Sequence, residues 1–293
     1  METIYYIDGK FINQKEAFVS VLDLSIIRGY AVFDYVQLYK GRPFHLTDHL
    51  LRLDSSAKKV GINLPKCLEE IEEITSQLIT KNGPINAGVR YIVTGGISGV
   101  DQLLPSTESS LIILVHPFSP YTSQIYNKGM RAITNRELRY LPNVKTTNYM
   151  PAILGMKKAQ EKGYDDALYI ERNEELLEGT SCNLFFFKNG VLLTDNSNRI
   201  VKGVTRDIIL KLAKHYFPIE YRAVSLHEVS SCEEAFLTSS VKDVVPLVQI
   251  DNLIIGNGRP GKLSSTLRSL YHEYIENYFL ENLDVNKNIF CNK

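Results

Sequence analysis

The sequence predicts an α+β protein made of two compact units, on three observations. At 293 residues it is longer than a typical single domain. Its apolar content of 44% is enough to close a core and lies far above that of a disordered chain. Strand-like and helix-like patterns alternate through both halves, with no internal repeat or low-complexity run.

The first unit is expected over residues 1–117. It opens with a strand at Ile4-Tyr5-Tyr6-Ile7, a turn at Asp8-Gly9 and a second strand at Lys10-Phe11-Ile12. A further strand, Tyr35 to Tyr39, ends at Lys40-Gly41. A helix starting near Thr47 places Leu50, Leu53, Ala57 and Val60 on one face. A second helix covers about Cys67 to Lys81 and stops at Asn82-Gly83-Pro84. The β-branched stretch Val89 to Thr94 and the run Leu111 to Val115 read as strands. Residues 118–128 are polar and aperiodic and form the expected interdomain connection.

The second unit is expected over residues 129–279. A helix from about Pro151 to Lys162 has proline in its first turn and Gly163 past its end. Strands follow at Ala167–Ile170, Glu175–Glu178, Leu184–Phe187 and Val191–Thr194, the last two joined by Asn189-Gly190, a type I′ hairpin signal. A helix from Thr205 to Tyr216, a strand from Ala235 to Ser240 and an amphipathic helix from Lys262 to Phe279 complete it. Residues 280–293 read as a loosely held polar tail.

Lys+Arg and Asp+Glu both number 33, so there is no basic excess of the kind a nucleic-acid binder gathers on one face. An anionic ligand would have to be caught by local arginines. Cys67, Cys182, Cys232 and Cys291 lack CxxC pairing or metal-ligand spacing and read as reduced thiols. No basic-then-apolar leader opens the chain, and no apolar run approaches the roughly 20 residues of a membrane span. The expected compartment is the cytoplasm.

Nucleotide-binding glycine motifs, HExxH and the nucleophile elbow are absent. Instead, Lys145 stands in Pro142-Asn143-Val144-Lys145-Thr146-Thr147-Asn148-Tyr149, a segment leading into a helix. Alone it would be a solvated lysine. About thirty residues on comes Glu178-Gly179-Thr180-Ser181-Cys182-Asn183, an acid at a strand end followed by small, turn-forming residues. Lys202-Gly203-Val204-Thr205 then opens a helix whose free N–H groups and positive dipole end suit a phosphate. Thr238-Ser239-Ser240 adds hydroxyls after another strand.

In this order and spacing, from about Ile4 to Tyr274, the chain resembles the class IV, or fold-type IV, pyridoxal-phosphate aminotransferases. That group includes branched-chain and D-amino-acid aminotransferases and aminodeoxychorismate lyase. The resemblance implies a two-domain α+β fold with pyridoxal 5′-phosphate in the cleft between the domains, amino acid and 2-oxo acid as substrates, and a homodimer. It matches Lys145 to the lysine that carries the cofactor and Glu178 to the carboxylate at the pyridine nitrogen. It matches Arg52 in His-Leu-Leu-Arg-Leu to the arginine on the phosphate, with Val204-Thr205 and Ser239-Ser240 as further phosphate seats. Tyr149 looks like the tyrosine at the phenolic oxygen, and Ser181 and Asn183 fall within the same cofactor-binding motif. Without the resemblance, Arg52 lies off the apolar stripe and reads as a solvated charge, Glu178 as a turn residue and Tyr149 as packing.

The family's Phe-Gly-Asp-Gly-Val-Phe-Glu stretch is here Arg28-Gly29-Tyr30-Ala31-Val32-Phe33-Asp34. Arg28 and Arg90, with Phe33, are expected to line the substrate site, the two arginines gripping a carboxylate. The bland alternative is a surface Arg28 and an Arg90 paired with an acid such as Asp34. The arginine pair leans the specificity toward D-amino acids, with branched-chain L-amino acids next. The arginine of the best-known D-amino-acid members is replaced by Gly95. Two other readings stay open: a lyase of the aminodeoxychorismate type, and a non-catalytic cofactor-binding or scaffold protein.

Overall fold

The computed structural model describes the backbone of every residue except 1, 84, 85, 102 and 291–293, and side chains as far as Glu281. The chain divides into two units: Met1–Pro120 with Arg139–Pro151, and Tyr121–Leu138 with Ala152–Lys293.

In the first unit the elements are β1 (Ile4–Ile7), β2 (Lys10–Asn13), α1 (Leu24–Ile27), β3 (Ala31–Tyr39), β4 (Arg42–Pro43), α2 (Leu46–Lys59), α3 (Leu68–Asn82), β5 (Ala87–Thr94) and β6 (Ser110–Pro117). The strands form one antiparallel sheet in the order β2-β1-β6-β5-β3-β4. The β1–β2 hairpin turns through Asp8 and Gly9, both with positive φ, as a two-residue loop requires. Glu70 closes a capping box on the Cys67 amide at 2.9 Å, so α3 starts where that pair stands.

Period-two alternation along β3 separates two jobs. Val32, Val36 and Leu38 face the helices and pack with Leu50, Leu53 and Ala57 of α2 and Ile71 and Leu78 of α3. Each fully buried leucine or isoleucine there contributes about 1.5–3 kcal/mol. Phe33 and Tyr35, on the other face, are left for the site.

The segment Arg139–Pro151 belongs to this first unit, whereas Lys145 was expected in the second. The cause is backbone pairing. Phe33 N–H donates to the Lys145 carbonyl at 2.9 Å, Thr147 N–H donates to the Ala31 carbonyl at 3.0 Å, and Thr146 bridges Val32. Val144 is buried in the same core.

The second unit contains α4 (Ser123–Lys128), β7 (Met130–Asn135), α5 (Met150–Glu161, its first two residues in the first unit), β8 (Asp166–Ile170), β9 (Glu175–Gly179), β10 (Asn183–Lys188), β11 (Val191–Thr194), α6 (Val204–Ala213), β12 (Ile219–Tyr221), β13 (Val224–Ser225), β14 (Glu234–Ser239), β15 (Asp243–Ile250), β16 (Leu253–Ile254) and α7 (Lys262–Phe290). Its sheet runs β12-β11-β10-β14-β15-β7-β8-β9-β13, and β10 also pairs with β9 through Asn183 and Glu178. That extra pairing closes six strands into a ring. Its core holds Leu168, Ile170, Leu184, Phe186, Leu237, Val245 and Leu247. Asn189 and Gly190 both take positive φ in the β10–β11 hairpin.

Three boundaries differ from expectation. Residues 123–128 of the expected connection are helical and cluster with the second unit, capped by Gly129 at φ +78. The backbone of α7 runs on to Phe290, through most of the expected tail. β3 begins at Ala31, four residues earlier than expected, because Ala31 to Thr94 and its neighbours continue the β5 ladder. Cys67, Cys182 and Cys232 are free thiols, and Cys291 lies outside the described residues. Among the described residues, no helix is long and apolar enough to cross a membrane.

Candidate active site

In the first unit the site residues gather around one ring. The Lys145 amine lies 4.5 Å from the centre of the Phe33 ring, and Tyr149 meets that ring edge-on at 5.3 Å. The Arg90 guanidinium stands 5.2 Å from the Phe33 centre and 5.8 Å from that of Tyr35. Because Tyr35 and Arg90 are cross-strand partners, the Tyr35 ring leans along the sheet over Gly88. A Cβ on Gly88 would fall 1.8 Å from the Tyr35 oxygen, so glycine is required there by close approach.

On the helix side of the same sheet, Arg52 binds Asp34 with two parallel hydrogen bonds, Nε to Oδ2 and Nη2 to Oδ1, each 2.8 Å. His49 Nδ1 lies 2.7 Å from Asp34 Oδ1. Asp34 is fully buried. Burial works to raise its pKa, but Arg52 and then His49 outweigh it and hold the carboxyl far below the usual range. Burial lowers the pKa of His49, with Asp34 opposing it. Arg52 is therefore a fixed, oriented guanidinium and not the solvated charge that helical spacing suggested. Asp34 takes Arg52, not Arg90, as its arginine partner.

Arg28 stands apart. It is exposed at the end of α1 and donates Nη1 to its neighbour's carbonyl, Ile27 O, at 2.8 Å. Among the described contacts it shares no partner with Arg90.

In the second unit, ring closure sets Glu178 opposite Asn183. Asn183 Nδ2 donates to Glu178 Oε2 at 3.2 Å and to the Val201 carbonyl at 2.7 Å, and the Val201 amide also donates to Glu178 Oε2 at 3.2 Å. Glu178 is buried with 4% exposure, so these donors are needed to hold a carboxylate there. Gly203 caps α6 against Asn183. A Cβ would stand 2.3 Å from Asn183 Oδ1. No side chain caps this helix, and its first internal bond runs from Asp207 N–H to Gly203 O, leaving the amides of Val204 and Thr205 without intrahelical partners. Thr205 is buried, Ser240 is half-buried, Ser181 is exposed, and Ser239 Oγ accepts from the Lys242 amide at 3.0 Å. Thr238 Oγ1 is buried and has no hydrogen-bond partner among the described residues.

One neighbour of these residues was not singled out from sequence: His49, whose i,i+3 spacing to Arg52 on α2 was a readable signal.

A buried carboxylate fixed by amides, uncapped amides at a glycine-opened helix and an orphan hydroxyl suit one class of ligand, a phosphorylated heterocycle with a basic ring nitrogen. Comparison with known proteins supplies the particular family. The model of the class IV amino-transferases matches residues 31–250. The chain is 32% identical over 277 residues to the "Putative branched-chain-amino-acid aminotransferase" of Methanocaldococcus jannaschii, covering 92% of this chain and 95% of that protein. It is 28% identical over 285 residues to the D-alanine aminotransferase of Staphylococcus aureus, covering 95% and 99%. The crystal structure of the T.th. branched-chain amino acid aminotransferase with pyridoxamine 5′-phosphate superposes with a TM-score of 0.86 at 27% identity, over 93% of this chain and 94% of that one. The chain belongs to the class IV aminotransferases, has their fold-type IV architecture and is a pyridoxal-phosphate-dependent enzyme.

The residues present fit that cofactor. The buried Glu178 carboxylate suits a protonated ring nitrogen, and the uncapped Val204 and Thr205 amides suit a phosphate.

Proposed function

We propose that the chain transfers amino groups between branched-chain amino acids and 2-oxo acids, with Lys145 as its catalytic amine. Bound pyridoxal phosphate supplies a ring that withdraws electrons and so acidifies the substrate α-proton. Lys145 Nζ would hold the cofactor and, as general base and then general acid, would take the substrate α-proton and return it. Glu178 keeps the pyridine nitrogen protonated, steadied by Asn183 and Val201. Arg52 and the amides of Val204 and Thr205 hold the phosphate, with Ser181, Ser239 and Ser240 as further contacts. Tyr149 holds the phenolic oxygen.

The observation that carries the substrate reading is the aromatic pair beside Lys145: Phe33 and Tyr149 offer apolar surface to a side chain. On this reading branched-chain substrates come ahead of D-amino acids, the opposite order to the one the Arg28–Arg90 pair suggested. D-Alanine is the second reading, favoured by the 28% identity to enzymes of that name. Arg90 alone is the carboxylate contact, since Arg28 is engaged with Ile27. The test is a half-reaction screen in which the loaded enzyme is mixed with L-leucine, L-valine and D-alanine and its visible band is followed. The branched-chain L-amino acids should discharge the band fastest, and a response to D-alanine alone would reverse the reading. Arg90→Ala should raise KM about ten-fold, the scale of one hydrogen bond to a charged group, while Arg28→Ala should leave KM unchanged.

We also propose a homodimer. Phe18, Val21, Ile26, Leu103 and Leu104 are each more than half exposed, on α1 with the loop before it and on a second loop, joined by the Asp23–Ile97 bridge and by Ser98 N–H to Leu22 O. An apolar patch of this kind calls for a partner surface, and a second copy of the chain supplies one. Sedimentation should give twice the chain mass in the wild type and a monomer in Val21→Glu/Leu103→Glu. The three free thiols suit a reducing cytoplasm, which cell fractionation checks.

A further inference from the structure

Among the described residues, Lys242 is a buried charge to which the proposed mechanism gives no role. Lys242 is 7% exposed, yet its ammonium lies 3.3 Å from Asp166 Oδ2 and 3.4 Å from Ser181 Oγ. Asp166, 1% exposed, is the hub of two turns. Through Oδ1 it accepts from Thr180 Oγ1 at 2.7 Å and Thr180 N–H at 3.3 Å, which shapes the turn from Gly179 to Cys182. Through Oδ2 it holds Lys242, the last residue of the turn between β14 and β15. Burial alone would lower the pKa of Lys242, but Cys182, Asp166 and Tyr121 outweigh it and keep the ammonium charged.

The far side of the β14–β15 turn is also held. Tyr126 Oη donates to the Lys242 carbonyl at 3.1 Å. Asp243 follows with φ +64, a left-handed conformation that a three-residue hairpin loop normally gives to glycine. Its carboxylate meets His272 and lies 3.5 Å from Arg268 Nε on α7, and the Arg268 guanidinium stacks on Tyr126 at 3.7 Å. A turn with an unfavourable backbone conformation, pinned at both ends by buried or stacked charges, is held in shape by the protein itself.

We propose that Lys242 is a positioning residue: its buried contact with Asp166 locks the β14–β15 turn onto the Gly179–Cys182 turn. Ser181, Ser239 and Ser240 are thereby set for a phosphate before one arrives. The inference rests on the reading of those three serines as cofactor contacts. Groups fixed in advance lose less freedom on binding, so the lock acts on how tightly the cofactor is retained.

The test uses Asp166→Asn/Lys242→Met, because Lys242→Met alone strands a buried carboxylate and disturbs folding. The asparagine keeps an acceptor for Thr180 while the charge pair is gone. Two quantities are read: amide hydrogen exchange over residues 179–182 and 239–243 in the cofactor-free protein, and the rate of cofactor release from the loaded enzyme. Both should rise by about ten-fold, the scale of one lost hydrogen bond to a charged group. Lys242→Arg, which preserves the charge, should recover most of both. Unchanged exchange would overturn the proposal at the lock itself and leave the serine assignments standing. Faster exchange with unchanged release would overturn it at those assignments instead.

Discussion

Lys145→Ala is expected to lower kcat by about 10⁴-fold, since it removes the amine placed to carry the cofactor and to relay the α-proton. The loss should fall on kcat more than on KM, because Phe33, Tyr149 and Arg90 remain to receive the substrate. Two pieces of geometry support so large a figure. The backbone at Lys145 is fixed by pairing with β3, and its side chain rests on the Phe33 ring, so its amine is held in place from both ends. Stopped-flow measurement of one half-reaction checks it. A variant keeping a tenth of wild-type turnover would remove Lys145 from the mechanism, and borohydride reduction with peptide mapping would then locate the true attachment point.

Asp34→Ala should cost about 3–5 kcal/mol, the scale of leaving one member of a buried pair without its partner. Asp34 is fully buried, Arg52 is mostly buried, and each depends on the other through two hydrogen bonds. Urea unfolding of the cofactor-free protein measures the loss. Asp34 also sets an acid limit. Its folded-state pKa lies below the value of 3.8 for an unperturbed aspartate, so the unfolded chain binds more protons in that window. Its contribution is complete above about pH 4 and is lost as pH falls from there toward the folded value. Asp34→Asn should therefore show a flatter fall in stability below about pH 4 than the wild type. An equal slope in both would mean that Asp34 is not the group responsible.

The two variants act on opposite faces of β3. Asp34 points to the helices and orients Arg52, while Phe33, one residue earlier, points the other way and supports Lys145, Tyr149 and Arg90. A one-residue slip of β3 would exchange these roles, so the β3–β5 register is itself part of the site.

Much of this was legible in sequence wherever the signal is local. Helical spacing located α2 and the buried positions Leu50, Leu53 and Ala57. Asn189-Gly190 marked its hairpin, and the order of Glu178, Asn183 and the Gly203 helix start marked residues that the structure brings together. Strand β15 was harder, because Pro246 stands within it opposite Phe236 and a proline argues against a paired strand. The position of Arg28 was not legible for a similar reason, since spacing along a chain does not say that its guanidinium turns back onto the Ile27 carbonyl.

By itself, then, the sequence determined the α+β class, and through its resemblance to a known family that family and its cofactor, because the motifs that carry the resemblance are short local runs. Only the tertiary structure decided which unit carries Lys145, which acid orients Arg52 and that Lys242 lies buried on Asp166. Those facts depend on partners 18, 76 and 112 positions apart (Arg52 with Asp34, Lys242 with Asp166, Lys145 with Phe33). Separations of that size are brought together by sheet register and ring closure, and no local pattern encodes them.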